Sequence, residues 1–206
     1  MEHDMIIFDV DGTLWEATDI VVEAMEWLST KYPEIKRKDI KIIQSIMGLP
    51  MNDLIPILMP EVDKSEAVSI FQLLVEKDFE LIQQKGAHLY ADIPEVVATL
   101  SQKYKLGIVT NNYNEYAEIF LDKSGLKKYF SDYIGASTLR LTKAQAISEM
   151  VKRNKSRHAV YIGDIEKDLF AAQEANVDFI HARYGFGKNV KCDKHIDSAR
   201  QLLLLL

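Results

Sequence analysis

Apolar positions along this 206-residue chain follow two different rhythms. Short continuous apolar runs recur at Ile6–Phe8, Leu106–Val109, Tyr133–Gly135, Ala159–Ile162 and Phe179–His181, as expected of strands buried on both faces of a parallel sheet. Between the later runs, Tyr116–Lys123, Lys143–Arg153 and Leu169–Glu174 carry apolar residues at three- and four-residue spacings, which predicts helices. The alternation predicts an α/β fold: a doubly wound parallel sheet, Rossmann-like, with helices on both faces.

The interval between the first and second runs, almost a hundred residues, is too long for one crossover. Ile20–Thr30, Ile40–Ser45 and Ser65–Gln84 have helical periodicity, and Pro33, Pro50, Pro56 and Pro60 punctuate the intervals. This predicts an α-helical insertion over residues 16–85 and a core helix near Ile93–Lys103. Residues 1–15 and 86–206 then form the α/β core. Trp15, Trp27, Met47, Met51 and Met59 are expected to pack the insertion, Gly48-Leu49-Pro50 to turn between its helices, and Leu202–Leu206 to complete a helix docked on the core.

Composition narrows the function. A net charge of −6 and a pI near 5.4 argue against a nucleic-acid partner. No run approaches the roughly 18 apolar residues of a membrane span, and no basic segment followed by an apolar run opens the chain. A soluble cytoplasmic protein, monomer or homodimer, is the expectation. The single Cys192 makes no internal disulfide, and with His195 it supplies only two of the four ligands a structural zinc needs. His3, His88, His158, His181 and His195 show no ligand spacing and receive no metal role. Lys36-Arg37-Lys38 reads as a solvated face.

In open α/β sheets ligands bind at the carboxyl ends of the strands. The polar residues following the apolar runs are Asp9, Asp11 and Thr13, then Thr110, Asn111 and Asn112, then Lys143 opening a helix, then Gly163, Asp164 and Asp168. Some have plainer uses: the asparagines can cap the next helix, and Asp168 can stabilise a helix N-terminus. Gly185-Phe186-Gly187 lacks the third glycine and following helix of a dinucleotide fingerprint and reads as a loop beside the site.

In this order, Asp9-Val10-Asp11-Gly12-Thr13, the strand ending in Thr110, the isolated Lys143, and Gly163-Asp164 with Asp168 resemble the four motifs of the haloacid dehalogenase-like superfamily over nearly the whole chain. The helical insertion after the first motif is similar to the cap of the phosphoglycolate phosphatase and β-phosphoglucomutase branch. The resemblance implies a hydrolase: a Mg2+-dependent phosphatase acting on a small phosphorylated metabolite through an aspartyl-phosphate. It also implies roles, with Asp9, Asp11, Thr110 and Lys143 catalytic and Gly12, Thr13, Asn111 and Asn112 binding phosphate. Asp9, the Asp11 backbone carbonyl, Asp164 and Asp168 would hold the metal. Residues Met47–Asn52 of the cap would select the leaving group. Ala144 stands where the family commonly has proline, and Glu16-Ala17 where relatives often have Asp-Ser.

The residue types also make chemical sense by themselves. A carboxylate attacking a phosphate anion about 4 Å away meets roughly 4 kcal/mol of repulsion at an effective dielectric near 20. Mg2+ on Asp9 and Asp164, with Asp168 ligating it or orienting its waters, offsets that repulsion together with Lys143. Thr110 and the Asn111 and Asn112 N–H groups can hold phosphoryl oxygens, and Gly12 permits close backbone approach. Asp11 is the nearest proton donor for the leaving oxygen and, once ionised, a base for water. A phosphomutase, or a catalytically silent phosphate- or metal-binding regulator, stands as the alternative. A dehalogenase gives Asp11 no task.

Overall fold

The computed structural model describes residues 3–206. The first apolar run forms β1 (Met5–Phe8), followed by β2 (Trp15–Glu16). Helices α1 (Thr18–Lys31), α2 (Ile40–Ile46), α3 (Met51–Leu58) and α4 (Lys64–Lys85) come next, then β3 (His88–Leu89) and α5 (Ile93–Leu100). After these come β4 (Lys105–Thr110), α6 (Asn114–Ser124), β5 (Asp132–Gly135), α7 (Ala136–Leu139) and α8 (Lys143–Asn154). The chain finishes with β6 (Ala159–Gly163), α9 (Glu166–Glu174), β7 (Asp178–Ala182), β8 (His195–Ile196) and α10 (Leu202–Leu205). It divides into two compact units, one made of the chain up to Glu16 with His88–Leu206, the other Ala17–Ala87.

The first unit is an α/β fold on a six-stranded sheet of order β5-β4-β1-β6-β7-β8, parallel at every pairing. Phe8 pairs with both Ile108 and Ile162, and β4 and β6 run only two residues and one residue past those partners. Asp9 continues the ladder by donating its N–H to Ile162 O at 2.9 Å. All four β1 side chains are buried, each worth about 1.5–3 kcal/mol in removal from water. The pleat divides them between two layers. Met5 and Ile7 pack with Ile147 and Met150 of α8 and Ala171 and Ala172 of α9. Phe8 meets Phe130 edge-on, and Phe130 meets Phe120 of α6.

Several expectations need correction. Trp15 belongs to this unit, not the insertion, and packs edge-on against Tyr116 and Phe120. Of the terminal leucines only Leu202 is buried among its neighbours, while Leu204 is 86% exposed, because a single helical turn turns one side inward. The helix after β3 stops at Leu100, short of Lys103. β2, β3 and β8 are two residues each, too short to leave a periodic signal.

In the second unit α1 packs on α2 and α4, with Leu28, Ile35, Ile43, Leu58, Phe71 and Leu74 buried. Pro56 sits inside α3 instead of interrupting the chain. The helix ends two residues later, so the missing N–H costs a single bond. Gly48, at φ +77°, turns the chain between α2 and α3. Lys38 is not solvated: its side chain is 10% exposed and lies 3.8 Å from Glu61. Among the described residues no helix is long and apolar enough to cross a membrane.

Candidate active site

The carboxyl ends of β1, β4 and β6 bring Asp9, Thr110 and Asp164 to one edge of the sheet, and all three are buried. α8 adds Lys143, whose Nζ donates to Asp9 Oδ1 at 2.9 Å and to Asp168 Oδ1 at 2.6 Å. Its position is fixed by a reciprocal cap: the Gln145 N–H donates to Thr142 Oγ1 at 3.1 Å and the Thr142 N–H to Gln145 Oε1 at 3.0 Å. That pairing starts the helix without a proline, so Ala144 leaves the local geometry intact.

Asp168, the third residue of α9, reaches back along its helix. Its Oδ2 accepts from the N–H groups of Asp164 at 3.1 Å and Ile165 at 3.2 Å. The plain reading holds, since Asp168 shapes the turn with one oxygen, and its other oxygen takes Lys143. Asp164 Oδ2 accepts from the Phe186 N–H at 2.7 Å, whereas its Oδ1 is buried without a hydrogen-bond partner among the described residues. One ligand atom from each of Asp9, Asp164 and Asp168 falls within 4.8 Å of the others.

Three buried carboxyl groups thus face one ammonium, so ionising all three would leave two negative charges unmatched, a costly arrangement unless a cation joins them. Burial pushes Asp9 up to about 7 against the pull of Lys143, with Asp168 and Asp11 adding to the rise. Asp164 is raised by burial, then by Asp168 and Asp9. Burial opposes the charge of Lys143, but Asp168 and Asp9 hold it protonated well above an ordinary lysine. An all-oxygen donor set, an orphaned carboxylate oxygen and this charge deficit fit a hard divalent cation such as Mg2+.

Asp11 belongs to a separate network. Its Oδ1 accepts from Trp15 Nε1 at 3.1 Å and from the Tyr116 hydroxyl at 2.5 Å. Burial raises it to about 6, with those two donors working in the other direction. The two carboxylates of Asp9-Val10-Asp11 are therefore held differently, one by an ammonium and one by neutral donors.

Gly12 is constrained from within the protein as well. At φ +81° it occupies the left-handed region, and a Cβ there would stand 2.2 Å from Asp164 Oδ2. It makes room for the second carboxylate. The Thr13 N–H donates to Val10 O, and its Oγ1 is buried with no hydrogen-bond partner among the described residues. The asparagines also differ from expectation. α6 begins at Asn114 with Tyr113 at its cap and no side-chain capping bond. Asn112 instead donates its N–H to Thr110 Oγ1 at 3.2 Å and accepts the Tyr113 N–H, so that N–H is committed to the turn.

Sequence reasoning missed Tyr116 and Trp15 as the holders of Asp11, the Phe186 N–H as the anchor of Asp164, and His181. His181 Nε2 lies 2.9 Å from Asp164 O and 3.0 Å from Gly187 O, tying the β6 end to the Gly185–Gly187 loop. Burial lowers its pKa against those two carbonyls. His3 and His158, given no metal role from their spacing, both meet Asp178. They lie far apart along the chain but just before adjacent strands, a proximity that spacing cannot report.

A family model described as haloacid dehalogenase-like hydrolase matches residues 6–182. The chain is similar to a phosphoglycolate phosphatase of Photobacterium profundum, 28% identical over 196 residues, covering 88% of this chain and 83% of that protein. It is 24% identical to a pyrophosphatase of Bacillus anthracis over all of this chain and 97% of that one. Among solved structures, a haloacid dehalogenase-like family hydrolase from Streptococcus pneumoniae superposes with a TM-score of 0.88. That likeness spans 98% of this chain and 97% of the other at 22% identity, and it concerns the fold.

Proposed function

The chain belongs to the haloacid dehalogenase-like hydrolases, and from that premise we propose that it hydrolyses a small phosphate monoester with Mg2+, through an aspartyl-phosphate on Asp9. The observation that carries the reading is the charge deficit: Asp9, Asp164 and Asp168 buried together against Lys143 alone. Asp9, Asp164 and the Asp11 carbonyl would hold the ion, which supplies the positive charge that lets a carboxylate approach an anionic phosphate. Asp168, already engaged with Lys143 and two backbone N–H groups, acts mainly by positioning them.

In the first step an Asp9 oxygen forms a bond to phosphorus while the bond to the leaving oxygen breaks, and Asp11 gives that oxygen its proton. In the second, Asp11 takes a proton from water, whose oxygen attacks phosphorus and releases phosphate and free Asp9. Tyr116 and Trp15 keep Asp11 aimed through both steps. Lys143 and the Thr110 hydroxyl stabilise the phosphoryl oxygens, with Gly12, Thr13 and the Asn111–Asn112 turn shaping their cradle. We assign the helical insertion Ala17–Ala87 the role of cap, with Met47–Asn52 selecting the leaving group.

The names of the relatives make phosphoglycolate and pyrophosphate the first substrates to test, followed by sugar phosphates. Phosphate release should require Mg2+, cease with EDTA, and leave a phosphoryl group on the peptide bearing Asp9 after acid quench. A quenched enzyme labelled at another residue, or turnover unaffected by EDTA, would overturn the reading. An isomerised sugar phosphate as the main product would move it to a mutase.

A further inference from the structure

At the amino ends of β1, β6 and β7, neighbours in the sheet, a second group of side chains converges. His3 Nε2 lies 2.9 Å from Asp178 Oδ2, and His158 Nε2 lies 3.4 Å from the same oxygen. The two imidazoles stack with centroids 4.4 Å apart, and one donor atom from each residue falls within 4.8 Å of the others. We propose that His3, His158 and Asp178 form a second metal site, binding a divalent late-transition ion such as Zn2+ through two imidazole nitrogens and one carboxylate oxygen.

The distances are close to what such an ion needs, and the stacked rings would have to turn for both Nε2 lone pairs to meet it. Tetrahedral ligands at about 2.0–2.1 Å from zinc sit roughly 3.3 Å from one another, and the two separations to Asp178 bracket that value. Two nitrogens with one oxygen suit zinc, nickel or cobalt, whereas Mg2+ favours an all-oxygen set, so the two ends of the strands would take different metals. An ion pair needs one imidazole per carboxylate oxygen; here a second is directed at the same atom.

The group is also held in place. The Asp4 N–H donates to His158 O at 3.0 Å, and the His158 N–H donates to Asp4 Oδ1 at 3.3 Å, so the backbone of His158 is clamped from both sides. Its Nδ1 is buried without a hydrogen-bond partner among the described residues, which leaves Nε2 as the ring's polar handle. Asp178 opens β7, whose register with Val160 of β6 fixes it beside His158. The Asp178 side chain is 45% exposed, so an ion can enter from solvent. Binding would tie the start of the chain to two inner strands.

The inference stands apart from the proposed phosphatase chemistry. The test uses the full chain without an affinity tag, stripped with EDTA and returned to millimolar Mg2+ before titration with Zn2+ by calorimetry. One Zn2+ should bind per chain, shifting the imidazole 15N resonances of His3 and His158 and leaving those of His181 in place. His3→Gln and His158→Gln should each weaken binding by about tenfold or more, with metal-free urea midpoints unchanged for His3→Gln. Zn2+ bound equally by wild type and His3→Gln, no uptake above the Mg2+ background, or uptake that moves neither resonance would each overturn the site.

Discussion

The two ends of β1, β6 and β7 both gather aspartates, and they treat them in opposite ways. At the carboxyl end Asp9, Asp164 and Asp168 are almost fully buried and outnumber their one cation. At the amino end Asp4 is met by the Ser156 hydroxyl and two backbone N–H groups, and Asp178 by two imidazoles, with solvent within reach. A folded chain tolerates unmatched buried charge where something it binds completes the set. At the amino end it supplies the first partners itself and leaves Asp178 open to solvent for the ion proposed above.

Substitutions can break that contrast, the largest effect first. Asp9→Asn should lower turnover by about 10⁴-fold or more, while its urea midpoint holds or rises because one buried charge is gone; a midpoint that falls with activity would make Asp9 structural. Lys143→Met strips Asp9 and Asp168 of the ammonium they share. It should cost about 3–5 kcal/mol by urea unfolding in the metal-free protein, and a cost under about 1 kcal/mol would deny the crowding of charge.

Gly12→Ala drives a methyl group against Asp164 in a backbone region alanine avoids. A loss of about 1–3 kcal/mol is expected, read from thermal melting with phosphate release alongside. Asp164→Asn removes a charge whose Oδ1 lacks a partner. It should raise metal-free stability by about 1 kcal/mol while abolishing the response of the melting temperature to Mg2+; a variant still stabilised by Mg2+ would place the ion elsewhere.

The smallest effect sharpens the amino end. Burial works to raise Asp4, but the hydrogen bonds from Ser156, Arg157 and His158 outweigh it and hold the carboxyl below its ordinary range. A depressed folded value contributes stability that is present above the unfolded value of about 4 and lost as pH falls through the folded one. The gap between wild-type and Asp4→Asn urea midpoints should therefore shrink on acidification below about pH 4. A gap independent of pH would show that Asp4 acts by packing alone.

The fold and the carboxyl-end set were largely legible because both rest on local signals: continuous apolar runs mark buried strands, and the residue after each run lands at one sheet edge. What stayed hidden depends on pairings between distant segments. Trp15 looked like part of the helical insertion until its indole N–H was found on Asp11. The Phe186 N–H, the Tyr116 hydroxyl and His181 carry no sequence mark of their roles, since a lone aromatic or histidine reads the same in any core. Gly12 was noticed for close approach, and the approach of Asp164 to it is a contact that the sequence does not mark.

One modest feature has wide reach. β2 and β3 pair antiparallel, with Glu16 opposite His88, so the chain departs from the α/β unit and comes back to it at adjoining positions. Everything from Ala17 to Ala87 hangs from what is, to the sheet, a single hairpin stem. Such a socket accepts any segment whose ends lie one strand spacing apart, because lengthening a loop adds only a logarithmic entropic cost. Evolution can exchange the module plugged into it, and a protein engineer can replace it with a two-residue turn, without rewriting a single strand of the α/β unit.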